Sequence, residues 1–312
     1  MLDTIATLDQ AVAAEALAGL TARPKTLPAR LFYDPRGCEL FERITTLPEY
    51  YVTRTEMALL AQMAPELAGM VATGSVLVEY GAGNAAKAEI LLAALPAPAA
   101  YVPIDVAAPA LEAVRARMAP RLPVHPCVAD FLHPLALPPA LNRHPVLGFF
   151  PGSTIGNLEP GETARFLHRA RASLGAQALF LIGVDLRKDP ALLLPAYDDA
   201  EGVTAAFNLN LLTRLNREAG AEFDLASFAH EARWSAGDGR IEMHLVSRQA
   251  QVVRVAGEGI RFAERESIHT ENSYKHTLDG FAALARRGGW RRLALWTDPH
   301  ALFSLHLLTP EE

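Results

Sequence analysis

Between residues 75 and 184, short apolar runs alternate with stretches of helical spacing, and that alternation narrows the folds open to the chain. The runs fall at 75–80 (SVLVEY), 100–106 (AYVPIDV), 124–129, 146–150 and 178–184 (ALFLIGV). Helices are predicted over 86–95, 110–118 and 162–173, the last starting just after Pro160. Strands that are apolar throughout need helices on both faces, the pattern of a parallel sheet in an α/β fold. A further helix over 278–287 leads to two strands, 291–296 and 303–308, joined by TDPHAL. So short a connection makes these two antiparallel neighbours. The expectation is five strand–helix units closed by a hairpin.

The rhythm breaks over 188–277. There a helical stretch through 197–215 precedes 240–247 (RIEMHLVS) and 251–255, which read as an antiparallel pair in a second, smaller α/β unit. At the start of the chain, 1–26 has helical spacing that Pro24 and Pro28 interrupt. Residues 30–51 gather Phe32, Tyr33, Phe41, Tyr50 and Tyr51 among charges, more aromatic polarity than a core helix needs. From 53 to 70 the spacing of Leu59, Leu60, Met63, Leu67 and Met70 predicts an amphipathic helix.

Composition removes several classes of function. The net charge of −6 argues against a nucleic-acid backbone as partner, and Arg286-Arg287 and Arg291-Arg292 read as solvated faces. The opening MLDTIATLDQ lacks the basic start of a signal peptide. The most apolar stretch, 91–111, is broken by Pro96, Pro98, Pro103, Asp105 and Pro109, so it cannot span a bilayer as a helix. Cys38 and Cys127 are too few for a disulfide framework or a zinc site, which fits a reducing, cytoplasmic setting. His244, His269 and His276 have a spacing that suits no metal, and no metal is expected.

The run at 75–80 ends in Gly81-Ala82-Gly83-Asn84 and a helix follows, the context in which a glycine turn can cradle a nucleotide. The helix start adds unpaired N–H groups and a positive dipole end. Asp105 closes the next strand, where a ribose diol would lie. These residues fit NAD and S-adenosylmethionine equally. Asp130-Phe131, able to meet an adenine amino group and its ring, and the closing hairpin favour S-adenosylmethionine. The fourth strand runs into Pro151-Gly152-Ser153-Thr154-Ile155-Gly156-Asn157, at the edge where open sheets bind ligands, so Asn157 is a candidate acceptor contact. Its alternative role is to cap the following helix.

Several long segments carry a resemblance: LFYDPRGCELFERITTLPEYYVTRTE, VEYGAGNAAK, FPGSTIGNL, AYDDAEGVTAAFN, RIEMHL, IHTENSYKH and WTDPHALFSLHL. Together they cover nearly the whole chain, which resembles the histidine-specific Nα-methyltransferases of ergothioneine biosynthesis. Tyr80 and Asn84 depart from the small or apolar residues expected beside the glycines.

The resemblance implies a Rossmann-like methyltransferase domain (56–187 and 278–312) and a smaller substrate-binding domain (1–55 and 188–277). It places S-adenosylmethionine on Tyr51, Gly81, Gly83, Lys87, Asp105, Asp130 and Phe131. It places histidine on Tyr33, Tyr51, Asn157, Tyr197, Met243, Glu271 and Ser273, with Asn157, Tyr197 and Tyr33 nearest the reaction. Glu271 and Ser273, two apart on an extended segment, would face the same way and pair with the two ring nitrogens. The implied product is the trimethylated amino acid, made by a monomer acting on a small molecule. Two alternatives stay open: another acceptor such as a tryptophan derivative, or a nucleoside-binding module without catalysis.

Overall fold

The structure, a computed structural model, describes residues 9–311. The part of the N-terminal helical reading that falls on residues 1–8 lies outside them. In chain order the first elements are α1 (Gln10–Thr21), β1 (Lys25–Thr26), α2 (Pro35–Ile44), α3 (Tyr51–Met70), β2 (Val76–Tyr80), α4 (Ala86–Ala94), β3 (Ala100–Asp105) and α5 (Ala108–Met118). There follow β4 (Cys127–Val128), β5 (Val146–Phe150), α6 (Pro160–Leu174), β6 (Leu179–Asp185), α7 (Pro190–Tyr197), α8 (Val203–Glu218), β7 (Phe228–Ser235) and β8 (Arg240–Ser247). The last are β9 (Gln251–Val255), β10 (Glu258–Phe262), β11 (Ser267–Tyr274), α9 (Leu278–Arg287), β12 (Trp290–Thr297) and β13 (Phe303–Pro310). They fall into two compact units. One holds the described residues up to Tyr51 with Asp189–Ser273; the other holds Val52–Lys188 and the residues from Tyr274 on.

The second of these carries a seven-stranded sheet in the order β12-β13-β6-β5-β2-β3-β4. β4, β3, β2, β5 and β6 run parallel, and β13 lies antiparallel between β6 and β12. This is the expected α/β arrangement, parallel strands closed by an antiparallel hairpin. Chain order reverses between β2 and β5, so a crevice opens at their carboxyl ends, where both candidate loops emerge. An aromatic cluster fixes those ends from below. Tyr80 sets its ring edge-on against Phe150 and Phe166 (6.2 and 5.5 Å), and Trp290 packs on Phe180 and donates Nε1–H to the Leu167 carbonyl (2.8 Å). The departure at Tyr80 is therefore a core aromatic under the glycine turn. α6 starts with a full capping box between Glu159 and Glu162, with Pro160 at its first position.

One expected strand is shorter than its sequence suggests. The run 124–129 contributes an isolated bridge at Val124 and the two residues of β4, because Pro126 between them has no N–H for the ladder.

In the other unit a four-stranded sheet has the order β1-β11-β8-β7, with β1 parallel to β11 and β7 antiparallel to β8. The expected pairing of 240–247 with 251–255 is corrected. β8 pairs with β7, and β9 pairs with β10 through the tight turn at Ala256-Gly257, both at positive φ (48° and 87°). Such a two-residue turn matches strand twist, so β9 closes on its immediate successor. The helical stretch 197–215 is two helices: α7 ends at Tyr197, and Asp199 then accepts the N–H groups of Val203 and Thr204 to start α8. Asp34 begins α2, accepting from Gly37 N–H, Asn210 and Arg217, each at 2.7 Å.

Candidate active site

At the end of β2 the chain turns through Gly81 (φ +73°) and Gly83 (φ +50°), a conformation costly for any residue with a Cβ. A Cβ at Gly83 would stand in open space, and one at Gly81 would meet only the Phe131 ring edge at 3.7 Å. The bare backbone is thus open to a ligand with Phe131 beside it. Asp105, the last residue of β3, accepts Gly83 N–H (3.0 Å) with one oxygen and Ala107 N–H (2.9 Å) with the other, fixing turn and carboxylate together. Asn84, the second departure, accepts Ala86 N–H (3.1 Å) at the start of α4. Phe131 packs on Phe150 and Phe166 in the loop after β4, while Asp130 accepts Leu132 N–H at 2.8 Å. Glycine cradle, ring and carboxylates fit a nucleoside.

Beneath this turn sit carboxyl groups that sequence reasoning did not single out. Burial pushes Glu79, on β2, up to about 8; the hydrogen bond from Tyr101 and the charge of Lys87 offset part of that shift. It is therefore uncharged at neutral pH. Glu56, on α3, is fully buried, lies 2.5 Å from Lys87 Nζ, and accepts Gly152 N–H at 3.0 and 2.9 Å. The signal was present in the sequence: Glu56 falls three and four residues before Leu59 and Leu60, on the apolar stripe.

Asn157 closes a single 3-10 turn, Thr154–Asn157, in the loop after β5. It does not cap α6, since Glu159 does. The loop is pinned at three places. Gly152 (φ +78°) gives its N–H to Glu56, and Ser153 Oγ accepts Asp185 N–H at 2.9 Å. Gly156 passes so close to the backbone of Tyr274 that a Cβ there would lie 2.7 Å from its carbonyl oxygen. Asp185 itself lies fully buried between Lys275 (2.7 Å) and Lys188 (2.5 Å). Burial raises its carboxyl pKa, and the two ammonium groups more than offset this, leaving it below the usual range.

The other candidates belong to the other unit. Tyr197 hydrogen-bonds Ser273 through their hydroxyls (2.7 Å) and meets Tyr50 edge-on at 6.2 Å. Ser273 and Glu271 lie on β11, so the segment 270–273 is strand rather than polar turn. Met243 is buried on β8, Tyr51 is buried at the start of α3, and Tyr33 packs edge-on against Phe41 and Phe207. The structure thus brings Tyr197 and Ser273 into direct contact and links Tyr33 to Tyr197 through the rings of Phe41 and Tyr50. Thr270, which sequence reasoning passed over, ties β11 to β8 and α8, its one hydroxyl proton shared between Met243 O (3.0 Å) and Asn208 Oδ1 (2.9 Å).

The fold brings two of the three histidines together beside an acid. β8 and β11 place one ligand-capable atom each of Glu242, His244 and His269 within 4.8 Å of the others, a proximity that a separation of 25 residues along the chain conceals. Glu242 shares its carboxylate between His244 Nε2 (3.0 Å) and Arg240 (2.7 Å), and the two histidine rings stack at 5.0 Å. Among the described residues no helix is long and apolar enough to cross a membrane.

Comparison with known proteins bears on this site. The sequence model of the family described as histidine-specific methyltransferase, SAM-dependent, matches residues 12–310. A histidine N-alpha-methyltransferase of Mycolicibacterium smegmatis is 42% identical over 308 residues, covering 95% of each chain. Ergothioneine biosynthesis protein 1 of Neurospora crassa is 32% identical over 91% of this chain and 33% of its own length. Among solved structures, an S-adenosylmethionine-dependent methyltransferase from Clostridium acetobutylicum superposes with a TM-score of 0.51 at 10% identity, covering 88% of this chain and 99% of that one.

Proposed function

The chain belongs to the SAM-dependent, histidine-specific methyltransferase family and is an N-methyltransferase that uses S-adenosylmethionine; from that premise we propose that it methylates the α-amino nitrogen of free histidine. We further propose three successive transfers, giving the trimethylated betaine (hercynine) for ergothioneine synthesis, carried out by a cytoplasmic monomer. The observation that supports this acceptor is the hydroxyl pair of Tyr197 and Ser273, with Glu271 two residues before Ser273 on β11. A carboxylate and a hydroxyl suit the two ring nitrogens of an imidazole. A hydrocarbon side chain would leave those groups unpaired, at a large cost in affinity.

In this reading the unit with the seven-stranded sheet holds S-adenosylmethionine through Gly81, Gly83, Lys87, Asp105, Asp130 and Phe131, with Tyr51 as a further contact. When bound, S-adenosylmethionine supplies an electrophilic methyl group on a sulfonium. Asn157 and Tyr197 hold the backbone ends of the amino acid, while Met243, Glu271 and Ser273 face its ring. Tyr33, Tyr51 and Tyr197 lend aromatic faces to the cation that grows with each transfer. The side chains align the amine rather than form a bond to it. Desolvation lowers the amine pKa, so that it loses its proton to water before each transfer.

The test is mass spectrometry after incubating the protein with S-adenosylmethionine and an equimolar pool of the common amino acids. Gain of up to three methyl groups on histidine alone is expected. Methylation of another amino acid would overturn the roles given to Glu271 and Ser273. A rate flat from weakly acidic to weakly basic pH would overturn the account of the amine.

A further inference from the structure

We infer that Glu56 is a positioning residue that ties the cofactor-side lysine to the acceptor-side loop through one buried carboxylate. The inference rests on the proposed roles of Lys87 and Asn157. Glu56 has no exposed surface, and its two oxygens straddle Gly152 N–H at 3.0 and 2.9 Å. One of them also meets Lys87 Nζ at 2.5 Å. Lys87 lies in the first turn of α4, directly behind the glycine turn, and Gly152 lies five residues before Asn157. Three separate elements thus converge on a single side chain: α3, the start of α4 and the loop after β5.

The surroundings are shaped to admit this group. A Cβ at Gly183, on β6, would lie 2.2 Å from Glu56 Oε1, so the strand leaves room for the carboxylate. Gly152 takes a left-handed φ of +78°, and a Cβ there would stand 3.4 Å from Lys87 Nζ. Taking a carboxylate out of water is destabilising unless its partners offset the loss of hydration, and a leucine at this position of the apolar stripe would avoid that cost. Retaining the charge makes sense when the pair holds something in place. Lys87 keeps 18% of its side chain exposed, so the side chain that Glu56 holds is not closed off from solvent. Nearby Glu79, uncharged at neutral pH, does not compete for that ammonium.

The test compares Glu56→Gln, Lys87→Met and the double variant with the wild type. Readouts are the Kd of S-adenosylhomocysteine, kcat per bound cofactor site at saturating histidine, the KM for histidine, and Tm. Glu56→Gln keeps size and a hydrogen-bond acceptor for Gly152 but loses the charge that holds Lys87. Each single variant should weaken S-adenosylhomocysteine about tenfold, and the double variant no further, because both break one pair. Glu56→Gln should also lower kcat at least tenfold while the KM for histidine changes less than threefold. A hundredfold loss in the double variant would refute the Lys87 link. A folded Glu56→Gln protein with wild-type Kd and kcat, altered in Tm alone, would reduce Glu56 to a structural role. Should Glu56→Gln not fold, Gly183→Ala displaces the carboxylate with its charge intact and must reproduce the loss of kcat; wild-type kcat there overturns the inference. Wild-type protein that binds S-adenosylhomocysteine yet leaves histidine unmethylated would instead overturn the proposed acceptor, with the Kd arm still deciding the Lys87 link.

Discussion

Glu271 is the residue on which acceptor choice turns in the proposed reading. Replacing it with Ala leaves the partner nitrogen of a bound imidazole without its acceptor, a loss of roughly 2–3 kcal/mol for a charge-assisted hydrogen bond in a site removed from water. The Kd of histidine should therefore rise on the order of 30- to 150-fold, while the Kd of S-adenosylhomocysteine moves less than about threefold. Titration calorimetry with each ligand checks this, and equal losses for both would sink the role given to Glu271. Such single residues were unevenly legible. Gly81, Gly83 and Asp105 carry a local signature, since a strand, a glycine turn and a strand-end acid follow from spacing alone. Glu271 and Ser273 stood out only through resemblance, because a polar TENS segment has the composition of an exposed turn. Glu56 escaped because periodicity groups hydrophobic residues and treats an acid among them as noise; only its partners, Gly152 and Lys87, give it meaning.

At the scale of elements, the loop from Gly152 to Asn157 depends on one close approach of backbone to backbone. Gly156→Ala would put a methyl carbon 2.7 Å from the Tyr274 carbonyl oxygen, and neither partner is the free end of a flexible side chain. The 3-10 turn that ends in Asn157 must then move away from the Tyr274 backbone. An ångström-scale shift of a positioning group can cost on the order of a hundredfold in rate, so kcat should fall between about tenfold and a hundredfold. The fall in Tm should be modest, about 1–2 °C, in line with roughly 1 kcal/mol in a chain of this size. Wild-type kcat in Gly156→Ala would mean that the loop tolerates displacement and that Asn157 does not position the acceptor. Elements differed in legibility for a related reason. β2, β3, β5 and β6 are apolar almost throughout and stand out in the sequence. β7, with His230, Glu231 and Arg233 among its residues, is half-buried along its length after Phe228 and has no such run. β9 and β10 take their pairing from a turn whose first residue is Ala256, not one of the usual turn formers.

Across the whole molecule, buried groups held in their uncharged forms set an optimum for stability. Burial lowers His244 and His276 to about 4 and His306 to about 3, against an ordinary value of 6.5. Below pH 6.5 the unfolded chain takes up protons at these rings that the folded chain refuses, so stability falls as the solution is acidified. Glu79 has the opposite sign. Its folded value of about 8 lies above the ordinary 4.5, so above pH 4.5 unfolding releases a proton and stability declines up to about pH 8. Between 4.5 and 6.5 three histidines oppose one carboxyl, and net stability rises with pH. Between 6.5 and 8 the carboxyl lowers stability, at up to ~1.4 kcal/mol per pH unit. Stability should therefore peak near pH 6.5, with a downward slope to about pH 8 and a plateau beyond. Thermal melts across pH 4.5–9 test this. Glu79→Gln should remove the alkaline slope and raise Tm above wild type at pH 8, since an amide still accepts from Tyr101 and carries no charge to bury. A wild-type Tm that climbs steadily from pH 6.5 to 8 would show that Glu79 ionises normally within the fold. The uncharged neighbour assigned to the Glu56–Lys87 pair would then be a second negative charge competing for the same ammonium.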